Sequence, residues 1–356
     1  MSINYATGLD IGERKRKDGR INEDSIAVNV LEDGHLDTNR NAGVFVLADG
    51  AGGENAGEVA SYIATVEVTR RLTQTLWENQ LLDGSETPRL PLDGRAGELP
   101  VQNDDPDWVL NTIETAIRST HTRILQLVRE LELESAYTTI VVGVKMGNRF
   151  YYGWVGDSRI YVINRHPGRE RSRQLTLLTR DHSVVQRLQE RGDIDEVEAH
   201  VHQRGNQITR ALGGTKADDP ADSTVQIESD HVRLFGDDVV LLTSDGLIDA
   251  YADAGTLHEQ YKRADSTAEI EAKILDHAVT DNEIRDVVLA AETLDDAVER
   301  FLSLANRRGG KDNLSLILAA DPSLDQSPAG SLPDRGYGAR NEPLGDRGTI
   351  IRDADE

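Results

Sequence analysis

Hydrophobic positions along the chain fall into short runs that predict strands. These runs are rich in β-branched and aromatic residues, and they are bounded by turn-forming residues. Several are separated by only a few positions, which is typical of antiparallel neighbours. The predicted strands are 5–11, 26–30, 43–47, 138–145, 149–155, 158–164, 174–179, 225–235, 239–244 and 314–319.

Other stretches place apolar residues at helical spacing. Helices are predicted directly after Asn55, from about Trp108 to Leu131, from Asp181, and through much of 255–306. Glu13–Lys17 is predicted to be a charged turn. This order of elements predicts an α+β protein. Its simplest form is an antiparallel β-sandwich flanked by helices on both faces, with the layer order α-β-β-α.

The pattern predicts one domain over residues 1–320. Residues 81–106 contain several Gly, Pro and acidic residues. We expect a disordered insertion there and not a domain boundary, because neither flanking part is complete alone. Apolar residues are scarce from Asp321 to Glu356. Such a segment buries too little surface to order itself, so a flexible C-terminal tail is predicted.

Composition narrows the function classes. The 356 residues include no cysteine, which excludes disulfides, zinc–thiolate sites and cysteine nucleophiles. No apolar run approaches the ~20 residues of a membrane helix, and the N-terminus lacks the pattern of a signal peptide. We therefore expect a cytoplasmic monomer without a membrane partner.

The charge balance is strongly acidic. Acidic residues outnumber basic ones 63 to 39, which gives a formal net charge of −24. Nucleic acid is not an expected partner, because a phosphate backbone requires a basic surface. Seven of the 39 basic residues are lysines, which leaves 32 arginines. This surface favours adaptation to concentrated salt over ordinary acidic solubility. An unfolding midpoint that did not rise with salt would contradict that hypothesis.

Acidic residues recur at the ends of predicted strands. One alone is more often a turn former, but carboxylates at strand ends of a sandwich can converge on one edge. Without cysteine or a convincing histidine pair, such a set selects a hard divalent ion, Mg²⁺ or Mn²⁺. An adjacent basic segment is either a solvated loop or an anion-binding site. The acidic sites are Glu23-Asp24, Asp49-Gly50, Asp157, Asp245-Gly246 and Asp312-Asn313, and the basic segment is Arg14–Lys17 with Arg20.

Eight short motifs follow one another between residues 8 and 319. They are Asn22–Ser25, Ala48–Gly53 with Ala56–Glu58, Thr138-Thr139, Val155–Arg159, Leu178–Ser183, Ile208–Gly213, Leu242–Gly246 and Gly309–Asn313. One such motif would be weak, but eight in order are specific. Together they resemble the metal-dependent Ser/Thr protein phosphatases of the 2C type, the PPM family, and its bacterial branch in particular.

The resemblance implies an activity and a cofactor. It implies a phosphoprotein phosphatase that hydrolyses phosphoserine and phosphothreonine, with phosphoproteins as partners. Two ions, Mn²⁺ or Mg²⁺, would activate a bridging water for in-line attack on phosphorus. Asp49 would bridge both ions. The Gly50 carbonyl would bind one of them. Asp245 and Asp312 would complete one site, Glu23 and Asp24 would serve the other, directly or through water, and Asp157 would belong to a third, weaker site.

The resemblance also implies a mobile flap at about 184–213. This sequence departs from the family's pattern at two positions. Ala51 stands where other members have a histidine or methionine, so the general acid is unassigned. The phosphate-binding arginine of the family would fall at Gly19. Arg20, one residue later, is the predicted phosphate ligand and catalytic residue, and Arg16 is the alternative. His182 and His202 are predicted to be packing or hydrogen-bonding residues.

Two other functions compete with the enzyme. One is a catalytically weak or inactive relative that binds a partner. The other is an acidic cation-binding protein without chemistry. The chain keeps all five acidic positions, and binding alone needs no set of mutually repelling carboxylates. Metal-dependent turnover of a small aryl phosphate would separate the enzyme from both.

Overall fold

A computed structural model of the chain describes residues 3–31, 41–51, 56–81, 106–248, 254–263, 268–328 and 335. Within these ranges it has twelve strands and nine α-helices. The strands are β1 Asn4–Asp10, β2 Asp24–Leu31, β3 Ala42–Ala51, β4 Ser135–Thr138, β5 Ile140–Met146, β6 Arg149–Val155, β7 Arg159–Asn164, β8 Leu175–Leu177, β9 Leu212–Thr215, β10 Glu228–Arg233, β11 Asp238–Thr243 and β12 Leu314–Ala320. The helices are α1 Glu13–Lys17, α2 Ala56–Leu81, α3 Pro106–Glu130, α4 Val184–Glu190, α5 Glu196–Ala199, α6 Ala254–Arg263, α7 Ala268–His277, α8 Asp281–Ala290 and α9 Leu294–Arg307.

The strands form two antiparallel sheets. One has the order β1-β12-β11-β7-β8, and the other has the order β10-β6-β5-β3-β4-β9, with β2 also paired to β3. Close-spaced strands joined by turns pair as neighbours, as β5 with β6. The first and last strands also pair, with Asn4 opposite Ala320. Both sheets therefore take strands from distant parts of the chain.

Three apolar layers hold the sheets and helices together. The middle layer lies between the sheets, where Phe45, Trp154 and Ile317 are buried. A second layer packs α2 and α3 on the outer face of one sheet, and Leu72 belongs to it. A third packs α8 and α9 on the outer face of the other sheet, around Phe301. The predicted α-β-β-α sandwich is thus confirmed.

Local structure departs from the sequence prediction at three places. The charged segment 13–17 is a short helix, α1, because the N–H of Arg14 bonds the carbonyl of Gly310 and the N–H of Arg16 bonds that of Gly12. The segment before Gly214 contains α5 and leads into β9, two elements that the sequence pattern does not predict. The helix predicted from Asp181 begins at Val184, after Ser183 accepts the capping hydrogen bond from the Gln186 N–H.

The first part of the predicted tail is ordered, which corrects the boundary at 320. Asp321 forms a buried ion pair with Lys145. Arg335 donates to both carboxylate oxygens of buried Asp238, at 2.7 and 3.1 Å. Apolar residues are scarce in the segment, although Leu324 packs against the middle layer. Buried charges require partners, and Asp321 and Arg335 supply them. Residues 329–334 and 336–356 lie outside the described part.

Two other features bear on the sequence predictions. Most of the predicted insertion, 82–105, lies outside the described residues, as do Gly52-Gly53 and Glu54-Asn55 of the central motif. No helix in the described ranges is long and apolar enough to cross a membrane.

Candidate metal centre

Asp24 and Asp49 meet at the end of one sheet. In the antiparallel pair β2–β3, Asp24 lies directly opposite Asp49. Asp24 is buried, and Asp49 is partly exposed. The backbone of Asp49 is held on its other side: its N–H donates to Thr139 Oγ1 at 3.1 Å, and Thr138 Oγ1 donates to its carbonyl at 2.9 Å. The threonine motif therefore fixes the strand that carries Asp49.

The second sheet completes the cluster through two serines. Ser244, at the end of β11, and Ser315, in β12, donate their hydroxyls to Asp24 Oδ2 at 2.8 and 2.6 Å. Asp245 follows Ser244, and Asp312 stands just before β12. Since β11 and β12 pair antiparallel, the end of one lies beside the start of the other. The carboxylates of both sheets thus gather at a single edge.

The repeated Asp-Gly sequence has a steric reason. A Cβ on Gly50 would lie 2.2 Å from the Gly57 carbonyl oxygen and 2.5 Å from that of Glu23. A Cβ on Gly246 would lie 1.9 Å from the Asn313 carbonyl oxygen. Neither distance is tolerable for a side chain, so only glycine lets these backbones approach. Each glycine therefore allows the backbone after an aspartate to lie close to another backbone segment.

Lys15 and Asn313 are members of the cluster that sequence reasoning missed. The Lys15 ammonium forms an ion pair with Asp312 and lies 3.6 Å from Glu23 Oε2. Asn313 Oδ1 accepts from Lys15 Nζ and from the Glu23 N–H, both at 3.0 Å. The signal for Lys15 was present, since it lies in the basic segment beside Glu23, but the segment was read as a turn. Helix α1 aims Lys15 inward.

Asp157 approaches the cluster from a third direction. It is buried in the turn between β6 and β7, and its charge acts on Asp49. His182 holds that turn: Gly156 N–H donates to its Nδ1 at 3.0 Å, and its Nε2 donates to Glu228 Oε1 at 3.0 Å. The predicted hydrogen-bonding role of His182 is confirmed.

Burial and like charges raise the pKa values of the carboxyl groups. Burial is the largest cause for Asp24, whose pKa is raised to about 6 although Ser315 and Ser244 donate to it. Desolvation likewise raises the pKa of Asp49 well above its usual range, and Asp24, Asp245, Asp312 and Asp157 add to the shift. Burial also raises the pKa of Glu23, against the opposing charge of Lys15. The negative charge of the cluster is therefore only partly offset by Lys15.

The remaining predicted residues lie at the rim. Arg20 is exposed on the loop after α1, and its charge is one of the smaller influences that lower the pKa of Glu23, against burial. Arg16 turns away and donates to Asp10 Oδ2 at 2.8 Å. Ala51 is exposed and pairs with Tyr137 across β3 and β4. The methyl group of Ala51 cannot donate a proton, so position 51 supplies no general acid.

The donor set fits divalent cations. It consists of carboxylates and nearby backbone carbonyls, which are the hard oxygen ligands that Mg²⁺ and Mn²⁺ prefer. Buried Asp24 Oδ1 has no hydrogen-bond partner within the described residues. A buried acceptor without a donor is costly, and a bound cation would satisfy it.

These pKa shifts predict how the metal-free protein responds to pH. A carboxyl whose folded pKa is raised stabilises the fold fully below its unfolded pKa of about 4, and that contribution is lost as pH rises through the folded pKa. For Asp24 the loss spans about pH 4 to 6 and amounts to roughly 3 kcal/mol. In chelator, we expect Asp24→Asn to gain stability over the natural protein by about that amount between pH 4 and 7. A difference in urea-unfolding free energy that stayed constant with pH would contradict this.

Comparison with known proteins identifies the family. The family model for protein phosphatase 2C matches residues 11–286. The chain belongs to this family. The serine/threonine phosphatase stp of Listeria monocytogenes is 27% identical over 285 residues, which cover 80% of this chain and 87% of that protein. The protein phosphatase PhpP of Streptococcus pneumoniae is 26% identical over 277 residues, covering 78% and 85%.

Solved structures agree with the fold of this 2C-type phosphatase. The serine/threonine phosphatase PstP/Ppp of Mycobacterium tuberculosis is similar with a TM-score of 0.56 and 26% identity, over 92% of this chain and 100% of that one. A PstP catalytic domain solved with two manganese ions has a TM-score of 0.51 and 25% identity, over 89% and 97%. The chain is thus a metal-dependent protein serine/threonine phosphatase.

Proposed function

We propose that the carboxylate cluster holds two divalent ions, Mn²⁺ or Mg²⁺, and that these residues hydrolyse phosphoserine and phosphothreonine in phosphoproteins. The observation that carries this is the convergence of acids from both sheets around Asp49. After desolvation, Asp24, Asp245, Asp312 and Asp157 all raise its pKa. Asp49 is the proposed ligand of both ions, and the Gly50 carbonyl binds one of them. Asp245 and Asp312 complete one site, Glu23 and Asp24 serve the other, directly or through water, and Asp157 belongs to a third, weaker site.

The protein's contribution is to hold ligands in place and to shape the approach. Bound divalent ions supply Lewis acidity and a water of lowered pKa. Ser244 and Ser315 fix the orientation of Asp24, and the threonine pair fixes the strand of Asp49. A groove of about 340 Å³ opens beside the cluster, lined by Asp157, Asp245, Thr280, Gln186 and His200. Its far wall belongs to the segment predicted to be the flap, so a phosphopeptide can lie between flap and metal centre.

Turnover should depend wholly on divalent metal. We expect phosphoserine and phosphothreonine peptides to be hydrolysed with added Mn²⁺ or Mg²⁺ and left intact after chelation, because the proposed reaction uses a metal-activated water and the chain has no cysteine nucleophile. Phosphate release is the measurement, with metal content checked by mass spectrometry. Undiminished release from exhaustively stripped protein would contradict the proposal.

We also propose that Arg20 and Lys15 together receive the substrate phosphate. Both lie on the Glu23 side of the cluster, where their charges lower the pKa of Glu23 against burial. Lys15 pairs with Asp312, a proposed metal ligand, and occupied metal sites would release its ammonium from that pair. Guanidinium and ammonium groups are the usual phosphate partners, and the arginine can bind two oxygens at once.

Single alanine variants separate these cations. A charge-assisted hydrogen bond is worth roughly 1.5–3 kcal/mol, so Lys15→Ala and Arg20→Ala should each lower kcat/KM by about 10- to 150-fold. Arg20→Lys should rescue poorly, since lysine cannot reproduce the fork. Arg16→Ala is the matched control, since Arg16 is bound to Asp10, and its effect should stay under about twofold. A large loss for Arg16→Ala alone would overturn the assignment.

A further inference from the structure

Three side chains that could ligate a metal meet outside the carboxylate cluster. Glu198 lies on α5, His202 follows it in the next loop, and His258 lies on α6. Each offers one possible ligand atom, and these atoms all lie within 4.8 Å of one another. Glu198 and His258 are buried, and His202 is partly buried. The phosphatase reaction proposed above does not use them.

The hydrogen bonds of His258 leave one ring nitrogen unused. Its Nε2 lies 3.1 Å from Glu198 Oε1, and a carboxylate oxygen only accepts, so Nε2 carries the proton. Nδ1 is then a bare lone pair. It is buried, on a residue only 7% exposed, and has no hydrogen-bond partner among the described residues. Because Glu198 Oε1 and His258 Nε2 lie this close together, one ion can bind both atoms once Nε2 has given up its proton. The unpartnered Nδ1 can carry that proton in the other neutral tautomer.

His202 faces the same space. The two imidazole rings meet edge to face, with centroids 4.9 Å apart. The Nδ1 of His202 accepts from the Arg204 N–H at 3.1 Å. Ligation by His202 therefore exchanges that contact for a metal bond.

The ammonium of Lys262 occupies the position beside Glu198 that a metal ion would take. The ammonium lies 2.6 Å from Glu198 Oε1, while the lysine side chain is 53% exposed. A half-exposed lysine can swing into solvent at little cost, because both its charge and its stem are hydrated there. The elements around it are already packed, since Val201, Leu257 and Ile274 form a buried apolar cluster under the site.

We propose that Glu198, His202 and His258 bind a transition metal of the zinc type, distinct from the hard-ion centre. Two imidazole nitrogens and one carboxylate are a common ligand set for Zn²⁺, whereas the Asp49 cluster offers oxygen alone. The ion would join α5 to α6 and displace Lys262. Residues 196, 199 and 200 of the α5 region line the groove beside the catalytic cluster. Zinc would therefore stiffen that wall.

The test measures zinc without relying on activity. The background variant is Asp49→Asn with Asp312→Asn, which weakens the hard-ion centre. We expect this protein to bind one Zn²⁺ in a competition titration with a chromophoric chelator, and Co²⁺ in its place to show the strong visible absorption of nitrogen-ligated tetrahedral cobalt. Adding His258→Ala should weaken binding by more than the ~10- to 100-fold that loss of a supporting partner causes. Adding His202→Asn should do the same.

A matched set of variants decides the outcome. Lys262→Met should tighten zinc binding, because it removes the competing ammonium, and His277→Ala, an exposed histidine on α7, should change nothing. Zinc should also slow amide exchange at 194–206. No zinc bound in the background variant, or equal affinity after His258→Ala and His202→Asn, would overturn the site. Failure of phosphatase activity in the natural chain would not affect this result.

Discussion

Replacing Asp49 by asparagine should abolish turnover and at the same time make the metal-free protein more stable. Asp49 is the proposed ligand of both ions, and the charges of Asp24, Asp245, Asp312 and Asp157 all act on it. Desolvation and four like charges raise its pKa, so the ionised form that metal binding requires is unfavourable in the empty fold. Asparagine keeps the shape and removes that charge. Phosphate release and urea unfolding in chelator measure the two effects.

Asp10 provides the matched control for this result. It also stands at a strand end, but the Gly12 N–H and Arg16 donate to it and, against burial, lower its pKa. Its ionised form is therefore stabilising above about pH 4, so Asp10→Asn should lose stability and keep turnover. If Asp49→Asn instead lost stability in chelator as Asp10→Asn does, Asp49 would be a structural turn residue and the metal assignment would be wrong.

Asp321→Asn should destabilise the protein by about 3–5 kcal/mol, the range measured when one partner of a buried ion pair is removed. Lys145 is 4% exposed and Asp321 5% exposed, so the change leaves a buried ammonium without its counter-charge. Lys145 lies on β5, inside the sheet that carries Asp49. Unfolding in urea at pH 7 measures the loss, and turnover of the folded fraction should remain.

Two further variants establish that the effect is the charge pair and not the segment. Lys145→Met combined with Asp321→Leu removes both charges and should recover most of the lost stability, since a buried pair replaced by apolar residues is often neutral. Truncation after Arg335 keeps both pairs and should match the natural protein. Equal stability of Asp321→Asn and the natural protein would show that residues 321–328 are a loose tail after all.

The sequence predicts most of the framework because strand and helix periods are local properties. The run 43–47 and the strand 314–319 were recognisable from their apolar residues alone, and both lie in the observed sheets. Asp49 and Asp312 could be placed in one cluster because residues at the strand ends of a sandwich can converge on one edge of the sheets. The glycines after Asp49 and Asp245 also had a local signature, and the close backbone contacts explain it.

What the sequence did not show depends on long-range contacts. Lys15 enters the cluster only because the Gly310 carbonyl and Asn306 hold the start of α1, almost 300 positions away in sequence. Asp321 is ordered only because β5 buries Lys145. The histidine at 202 meets His258 across two helices. None of these pairings produces a periodic pattern in the sequence. Composition was therefore the only guide, and it favoured a flexible tail and solvent-exposed charged residues.

The pairing of β1 with β12 has a consequence for biogenesis. Synthesis proceeds from the N-terminus, and domains generally fold as units once their parts have emerged. Here Asp24 gains the hydrogen bond from the Ser315 hydroxyl, and Asn4 gains its strand partner Ala320, only after the last strand has been synthesised. A nascent chain that ends before β12 has a sheet edge open beside β11 and an incomplete set of metal ligands. Phosphatase activity should therefore arise in one late step, and a ribosome-held chain cannot dephosphorylate anything before residue 320 has left the exit tunnel.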